Sequence, residues 1–249
     1  LTLYDNLLSG PIPPELGDLT SLRTLHLSRN QLEGDIPATF VNLVNLFDPS
    51  FYGDFGGGLD LDYNALNVPA GYPDPADPLH VLLSQKDPDW HLYQAFEQVI
   101  GSDGGVLTSL DGSVEFVVPE GTLDADTTFA YTPQPETGYD TGLLSFAGSS
   151  FQLTAEDTAG LVTTFDPPLT VTLYYSDADL GSTPEKSLAL YYWDVDKNDW
   201  VNAITTCPGG TYTRDLEGNV LSLAICHLSE FAVLGEPYRS LLPLVQVTR

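Results

Sequence analysis

Basic side chains, methionine and cysteine are scarce in this 249-residue sequence. It holds 8 Lys and Arg residues against 35 Asp and Glu residues, which gives a formal net charge of -27. A charge of that sign repels nucleic acid and anionic membranes, so neither is expected as a partner. It attracts cations, Ca²⁺ included, and it keeps a protein soluble outside the cell.

Long hydrophobic runs are missing as well. No stretch approaches the roughly 20 apolar residues that a membrane helix needs, so membrane insertion is not expected. No signal peptide is present, and Leu1 lies inside a repeat, so we expect the natural N-terminus to lie further upstream. Low Lys content, abundant Tyr, Thr and Gly, and the lack of Met favour a secreted, extracellular or cell-surface protein over a cytosolic enzyme.

The two cysteines, Cys207 and Cys226, both lie near the C-terminus. An even pair in a chain of secreted composition predicts a disulfide bond between them. Two buried free thiols are the alternative.

Two stretches near the N-terminus, 1–13 and 25–37, share one pattern of Leu, Asn, Gly, Ile and Pro. Equivalent positions, such as Asn6 and Asn30, are 24 residues apart, which is a leucine-rich-repeat period. In such a repeat the Leu-x-Leu pair points inward from a short strand, and the Asn side chain bonds backbone groups of the turn. The Gly-x-Ile-Pro end resembles the plant-type variant of this family. After an insertion, a third copy follows at 59–69.

Four parts are predicted along the chain. They are leucine-rich repeats at 1–69, a repeat cap and linker at 70–100, a β-sandwich at 101–236 and an apolar C-terminal strand at 237–249. A cap is expected because a repeat stack must close its hydrophobic core, and Trp90 and Phe96 are predicted to cover it. The C-terminal strand is expected to pair either with its own sandwich or with a sheet edge of a second copy. The predicted fold class is mainly β, with a short leucine-rich-repeat solenoid followed by an antiparallel β-sandwich.

The sandwich is predicted from short β-branched and aromatic runs between Gly, Asp and Pro turns, without helix-period segments. Nine strands are expected in it: Val114–Val118, Thr127–Thr132, Ser150–Ala155, Leu169–Tyr175, Ser187–Trp193, Asp199–Ala203, Gly210–Asp215, Val220–Cys226 and Glu230–Leu234.

One cluster near the C-terminus carries a second resemblance. Its residues are Tyr192-Trp193-Asp194, Trp200, Cys207 and Cys226-His227-Leu228-Ser229, followed by Phe231-Ala-Val-Leu234. They resemble the proteolysis-site end of GPCR autoproteolysis-inducing (GAIN) domains, and the stretch 104–123 resembles the opening of the related sandwich in netrin receptors and ankyrins. The family usually has more cysteines than this chain.

That resemblance implies self-cleavage of the peptide bond between Leu228 and Ser229. His227 would be the base, Leu228 the acyl residue and Ser229 the nucleophile. The alternative is a tight turn between two strands that has a structural role only.

A calcium loop is the one metal site that the sequence offers. Asp194, Asp196 and Asn198 have the Asp-x-Asp-x-Asn spacing of such loops, but the sixth position lacks Gly and the twelfth is Thr205, so it is no EF-hand. The alternative is an acidic hairpin between Trp193 and Trp200. No organic cofactor is expected.

Taken together, these features favour an extracellular or cell-surface protein that is not an enzyme. It would act in adhesion, in binding, or in assembly of a surface structure such as a filament, with other proteins or copies of itself as partners. One alternative is a self-cleaving module. Another is a secreted recognition receptor with a leucine-rich-repeat face, on which Thr2, Tyr4, His26 and Ser28 would point outward.

Overall fold

The structure is a computed structural model that describes residues 1–49, 57–181 and 183–237. Its regular structure is mainly β, with parallel strands near the N-terminus and antiparallel sheets after residue 95. Two separate clusters of buried apolar side chains underlie the two regions. The mainly-β class is confirmed. The predicted strand at 237–249 lies almost entirely outside the described residues.

Short parallel strands stack one copy of the repeat on the next. They are β1 (Ser9–Pro11), β2 (Leu25–His26), β3 (Gln31–Gly34), β4 (Leu59–Asp60) and β5 (Ala65–Leu66). Strand β2 pairs with β4, Thr2 bridges to His26, and β1, β3 and β5 form a second parallel sheet. The leucines of the Leu-x-Leu pairs in the second and third copies, such as Leu25 and Leu61, are buried, as the pattern predicts, whereas Leu1 of the first copy is 41% exposed.

Asparagine side chains join successive turns. The Asn30 amide accepts from Leu8 N–H at 3.0 Å and donates to Leu3 O of the preceding copy and Leu27 O of its own. Asn64 repeats the arrangement, because it accepts from Leu32 N–H and donates to the carbonyl oxygens of Leu27 and Leu61. These are the backbone contacts that the repeat pattern predicts for Asn.

Gln94 continues this ladder beyond the last repeat. It is 1% exposed, accepts from Leu66 N–H at 3.1 Å, and donates to Leu61 O at 3.1 Å and Trp90 O at 2.7 Å. The longer Gln side chain therefore takes the place that Asn would have in a further repeat.

The cap begins with helix α1 (Pro78–Lys86), whose first turn donates Leu79 N–H to the Asp77 side chain. The residue after the helix, Asp87, accepts Leu61 N–H at 2.7 Å. Trp90 is fully buried against the repeat core, as predicted.

The prediction for Phe96 is wrong. Phe96 packs against the core of the antiparallel sheets, because the first strand of those sheets already begins there, five residues before the expected boundary at 101.

Two antiparallel sheets make up the rest. The larger contains β6 (Phe96–Ile100), β9 (Thr127–Gln134), β10 (Ser145–Asp157), β11 (Gly160–Leu161), β13 (Ala189–Asp194), β14 (Asp199–Asn202) and β17 (Glu230–Gly235). The smaller contains β7 (Gly105–Thr108), β8 (Val114–Val118), β12 (Thr164–Tyr174), β15 (Tyr212–Asp215) and β16 (Val220–His227). The strand orders are β14-β13-β17-β10-β9-β6, with β11 on β10, and β15-β16-β12-β8-β7.

The two sheets share one core. Phe116 of the smaller sheet meets Phe151 of the larger edge to face at 5.6 Å, and both are fully buried. All nine predicted strands are present, and β6, β7 and β11 were not predicted. Helix α2 (Asp177–Leu180) and 3-10 turns fill the connections; the turns are Pro14–Asp18, Ala38–Asn42, Trp90–Leu92, Glu185–Ser187 and Ala203–Thr206.

Candidate functional site

Outward positions of the repeat strands form one polar face. Side chains alternate along a strand, so the residues between and after the buried leucines point outward. In the second copy these residues are His26 and Ser28, and in the third they are Asp60 and Asp62. Parallel pairing puts His26 beside Asp60, and the Ser28 hydroxyl donates to Asp60 Oδ2 at 2.6 Å.

The cap adds a third carboxylate to this face. Asp87 is brought to the strand edge by its hydrogen bond to Leu61 N–H. One ligating oxygen each of Asp60, Asp62 and Asp87 lie within 4.8 Å of one another. We call these three residues the acidic trio.

Asp62 is the least satisfied member of the acidic trio. Its Oδ1 exposes less than 1 Å² to solvent and receives no hydrogen bond from the described residues. Burial, with the nearby charges of Asp60 and Asp89, raises the pKa of Asp62 to about 7. Burial and the charge of Asp62 also raise the pKa of Asp87 well above its usual range, against the lowering effect of the Leu61 N–H.

An open cavity of about 510 Å³ lies over the trio, and Tyr4, Arg29, Lys86, Asp89 and Tyr93 also line it. The two basic residues are paired elsewhere. Arg29 contacts Glu136 at 3.4 Å, and Lys86 donates to Asp48 and to Leu46 O.

The segment His227–Ser229 links the end of β16 to the start of β17, so it crosses from one antiparallel sheet to the other. The Ser229 hydroxyl donates to Trp193 O at 3.1 Å, and His227 Nδ1 lies 3.4 Å from Leu228 O. The contacts of the described residues include no hydrogen bond between His227 and the Ser229 hydroxyl. The three predicted residues are consecutive in the chain, and the hydroxyl of Ser229, the predicted nucleophile, is bonded to a backbone carbonyl group.

The stretch from Asp194 to Asp199 is a hairpin between β13 and β14. Asp194 Oδ1 accepts from the N–H groups of Asp196 and Lys197, and its other oxygen pairs with the Lys197 ammonium, which lowers the pKa of Asp194. These contacts account for both oxygens of Asp194. The calcium loop at Asp194, Asp196 and Asn198 stays a prediction.

The predicted disulfide between Cys207 and Cys226 is present, with Cα atoms 5.2 Å apart. It ties the chain after β14 to β16, one residue before His227. Trp193 and Trp200 face each other across the hairpin, and Tyr139 stacks on Trp193 at 3.9 Å. The disulfide and the aromatic stack therefore both adjoin the His227–Ser229 segment, the first through Cys226 and the second through Trp193, whose carbonyl group accepts from Ser229.

Comparison with known proteins identifies one part of the chain. A family model described as Leucine Rich Repeat matches residues 21–43, which include β2 and the outward residues His26 and Ser28. The chain therefore contains a leucine-rich-repeat segment. No curated protein matches it significantly in sequence. Among the described residues, no helix is long and apolar enough to cross a membrane.

Sequence reasoning missed the acidic trio. Aligning the third repeat on the second would have placed Asp60 and Asp62 on the face of His26 and Ser28. No repeat alignment could have placed Asp87 on this face, because Asp87 belongs to the cap, which does not follow the repeat pattern.

The raised pKa of Asp62 predicts a pH-dependent stability. Its ordinary value is 3.8, and the folded state shifts it to about 7, so folding favours the protonated form. The free energy of unfolding should therefore fall as the pH rises between these values, by the difference in bound protons. Asp62→Asn removes this contribution, and we expect the variant to exceed the wild type in stability at about pH 8 but by much less at about pH 5. Urea unfolding of both proteins in a chelating buffer measures this, and a difference that stays constant with pH would contradict it.

Proposed function

We propose that this chain is an extracellular or cell-surface binding protein without catalytic activity. Its leucine-rich repeats would form a short solenoid that presents a protein-binding face, and the antiparallel sheets would act as a rigid spacer. Binding in this sense includes adhesion and the assembly of copies of the chain into a surface structure. The observation that carries the proposal is the cavity on the outward face of the repeats.

The lining of that cavity supports a basic protein partner. Leucine-rich repeats commonly mediate protein–protein contacts. Tyr4 is 52% exposed, and Tyr93 lines the cavity beside the carboxylates of the trio. Tyrosine supplies contact area at low entropic cost, while Asp89, which also lines the cavity, would pair with Lys or Arg of the partner.

An extracellular location is supported by the disulfide, because such bonds persist in oxidising compartments. The charge of -27 fits the same setting, since it keeps a protein soluble at high concentration.

A matched pair of surface variants tests the binding face. Tyr4→Arg places a positive charge at the cavity, and Val44→Arg makes a similar change at a site 68% exposed and away from the cavity. Both variants and the wild type would be tetramerised and screened against purified extracellular domains and against the chain itself. We expect a partner that binds wild type and Val44→Arg alike and binds Tyr4→Arg at least about tenfold more weakly, or ~1.4 kcal/mol. Equal binding by Tyr4→Arg, or the absence of any binding, would contradict the proposal.

A second candidate function is self-cleavage between Leu228 and Ser229. It is favoured by the proximity of the His227 ring to the Leu228 carbonyl. The Ser229 hydroxyl would leave Trp193 O, transfer its proton to His227 and attack the carbonyl carbon of Leu228. The amide nitrogen would then take up a proton as the C–N bond breaks, and water would hydrolyse the resulting ester.

Mass spectrometry of the denatured protein decides between the two candidates. Self-cleavage predicts a fragment that begins at Ser229 and is missing from the Ser229→Ala variant. The non-catalytic function predicts the intact mass for both proteins, with folding unchanged by the substitution. A fragment in both proteins would point to a contaminating protease and would exclude self-cleavage.

A further inference from the structure

We propose that Asp60, Asp62 and Asp87 form a divalent-cation site, with Ca²⁺ as the preferred ion, that joins the last repeat to its cap. The proposal does not depend on the identity of a protein partner. The proposed site is distinct from the calcium loop predicted at the Asp194 hairpin, which lies much later in the sequence.

The geometry of the trio fits one ion. Ligand oxygens of the three side chains are no more than 4.8 Å apart. Calcium–oxygen distances are about 2.3–2.6 Å, so oxygens on opposite sides of one ion are separated by about twice that length. Asp60 and Asp62 come from the strand side of the repeat, and Asp87 comes from the end of α1.

The hydrogen bonding of the trio leaves acceptor capacity for a ligand. The buried Oδ1 of Asp62 has no donor among the described residues. Asp87 is 8% exposed, and among the described residues its side chain accepts one hydrogen bond, from Leu61 N–H to Oδ2. A buried carboxylate oxygen without a partner is costly, and a bound cation would satisfy it.

The charge around the trio also lacks a protein counter-ion. Arg29 and Lys86 line the same cavity but pair with Glu136 and Asp48. Asp89 adds a fourth carboxyl group to the lining. Within the described part of the chain, no basic side chain forms an ion pair with the trio.

The type of ligand selects the ion. All three side chains offer oxygen, which suits Ca²⁺ or Mg²⁺ rather than zinc or copper. Ca²⁺ tolerates irregular coordination with water completing the shell, whereas Mg²⁺ requires near-ideal octahedral geometry. Sites in extracellular modules bind Ca²⁺ with dissociation constants on the order of 10⁻⁴–10⁻³ M, and we expect this range here.

Calorimetric titration of the whole chain with CaCl₂, together with thermal unfolding, tests the site. NaCl and MgCl₂ at matched ionic strength are needed as controls, because a chain of charge -27 responds to screening by any salt. We expect one Ca²⁺ per chain and a higher unfolding temperature with CaCl₂ than with either control. Asp62→Asn should weaken binding at least about tenfold and, in a chelating buffer, should raise the unfolding temperature, because it removes a buried negative charge.

Two further variants make the result decisive. Asp87→Asn keeps an oxygen that can accept Leu61 N–H, and it should also weaken Ca²⁺ binding at least about tenfold. Asp196→Asn alters only the hairpin and should leave binding unchanged. Loss of binding in Asp196→Asn with retention in Asp62→Asn would overturn the proposal in favour of the hairpin. A wild type that responds equally to all three salts would overturn it as well.

Discussion

Backbone groups at the open edge of each repeat turn must find hydrogen-bond partners, and the N-terminal half of the molecule depends on how they do so. The parallel strands are only two to four residues long, so ladder bonds alone satisfy few of these groups. Backbone bonds outside the strands, such as that from Arg29 N–H to Asp62 O, satisfy others, and side-chain amides add to them. Asn30 and Asn64 each join two consecutive turns through one acceptor and several donor contacts.

No further repeat follows the last turn among the described residues. Side chains of the cap make the hydrogen bonds that a further repeat would make. Gln94 accepts Leu66 N–H as the next Asn would, and Asp87 accepts Leu61 N–H as the next strand would. This solution has an electrostatic consequence, because it brings Asp87 against Asp60 and Asp62 on the outward face. The same contact that closes the repeat stack therefore creates the acidic site, and stability and binding are linked through one carboxylate.

Sequence reasoning succeeded where a period was present. The repeat period predicted the buried leucines and the role of Asn30, and alternation with turn residues predicted nine strands of the antiparallel sheets. The presence of two cysteines predicted the disulfide bond between Cys207 and Cys226. The predictions failed in the cap, where the repeat period ends. Phe96 was assigned to the cap because it lies before the expected start of the sandwich at 101, and its pairing with Tyr131 of β9 joins residues 35 positions apart.

The acidic trio as a set was missed for a related reason, although the repeat alignment reaches Asp60 and Asp62. Two members occupy variable outward positions of a repeat, and the third belongs to a non-repeating cap, so no local spacing connects them. Gln94 is similar, since it stands 30 residues after Asn64 rather than 24 and differs from it in residue type. Such groups are brought together only when the cap folds back onto the last turn.

The most direct test of this account is amide hydrogen exchange combined with unfolding of Gln94→Ala. The substitution leaves Leu66 N–H, Leu61 O and Trp90 O without this partner. Leu61 O keeps its bond from Asn64, so Leu66 N–H and Trp90 O are the groups left unsatisfied. At about 1 kcal/mol for each of them, the free energy of unfolding should fall by roughly 2 kcal/mol, and exchange at the Leu66 amide should accelerate. Gln98→Ala, which loses one exposed contact to Val106 O, should cost less than about 1 kcal/mol. Unchanged exchange at Leu66, or equal losses in the two variants, would contradict the claim that Gln94 closes the repeat stack.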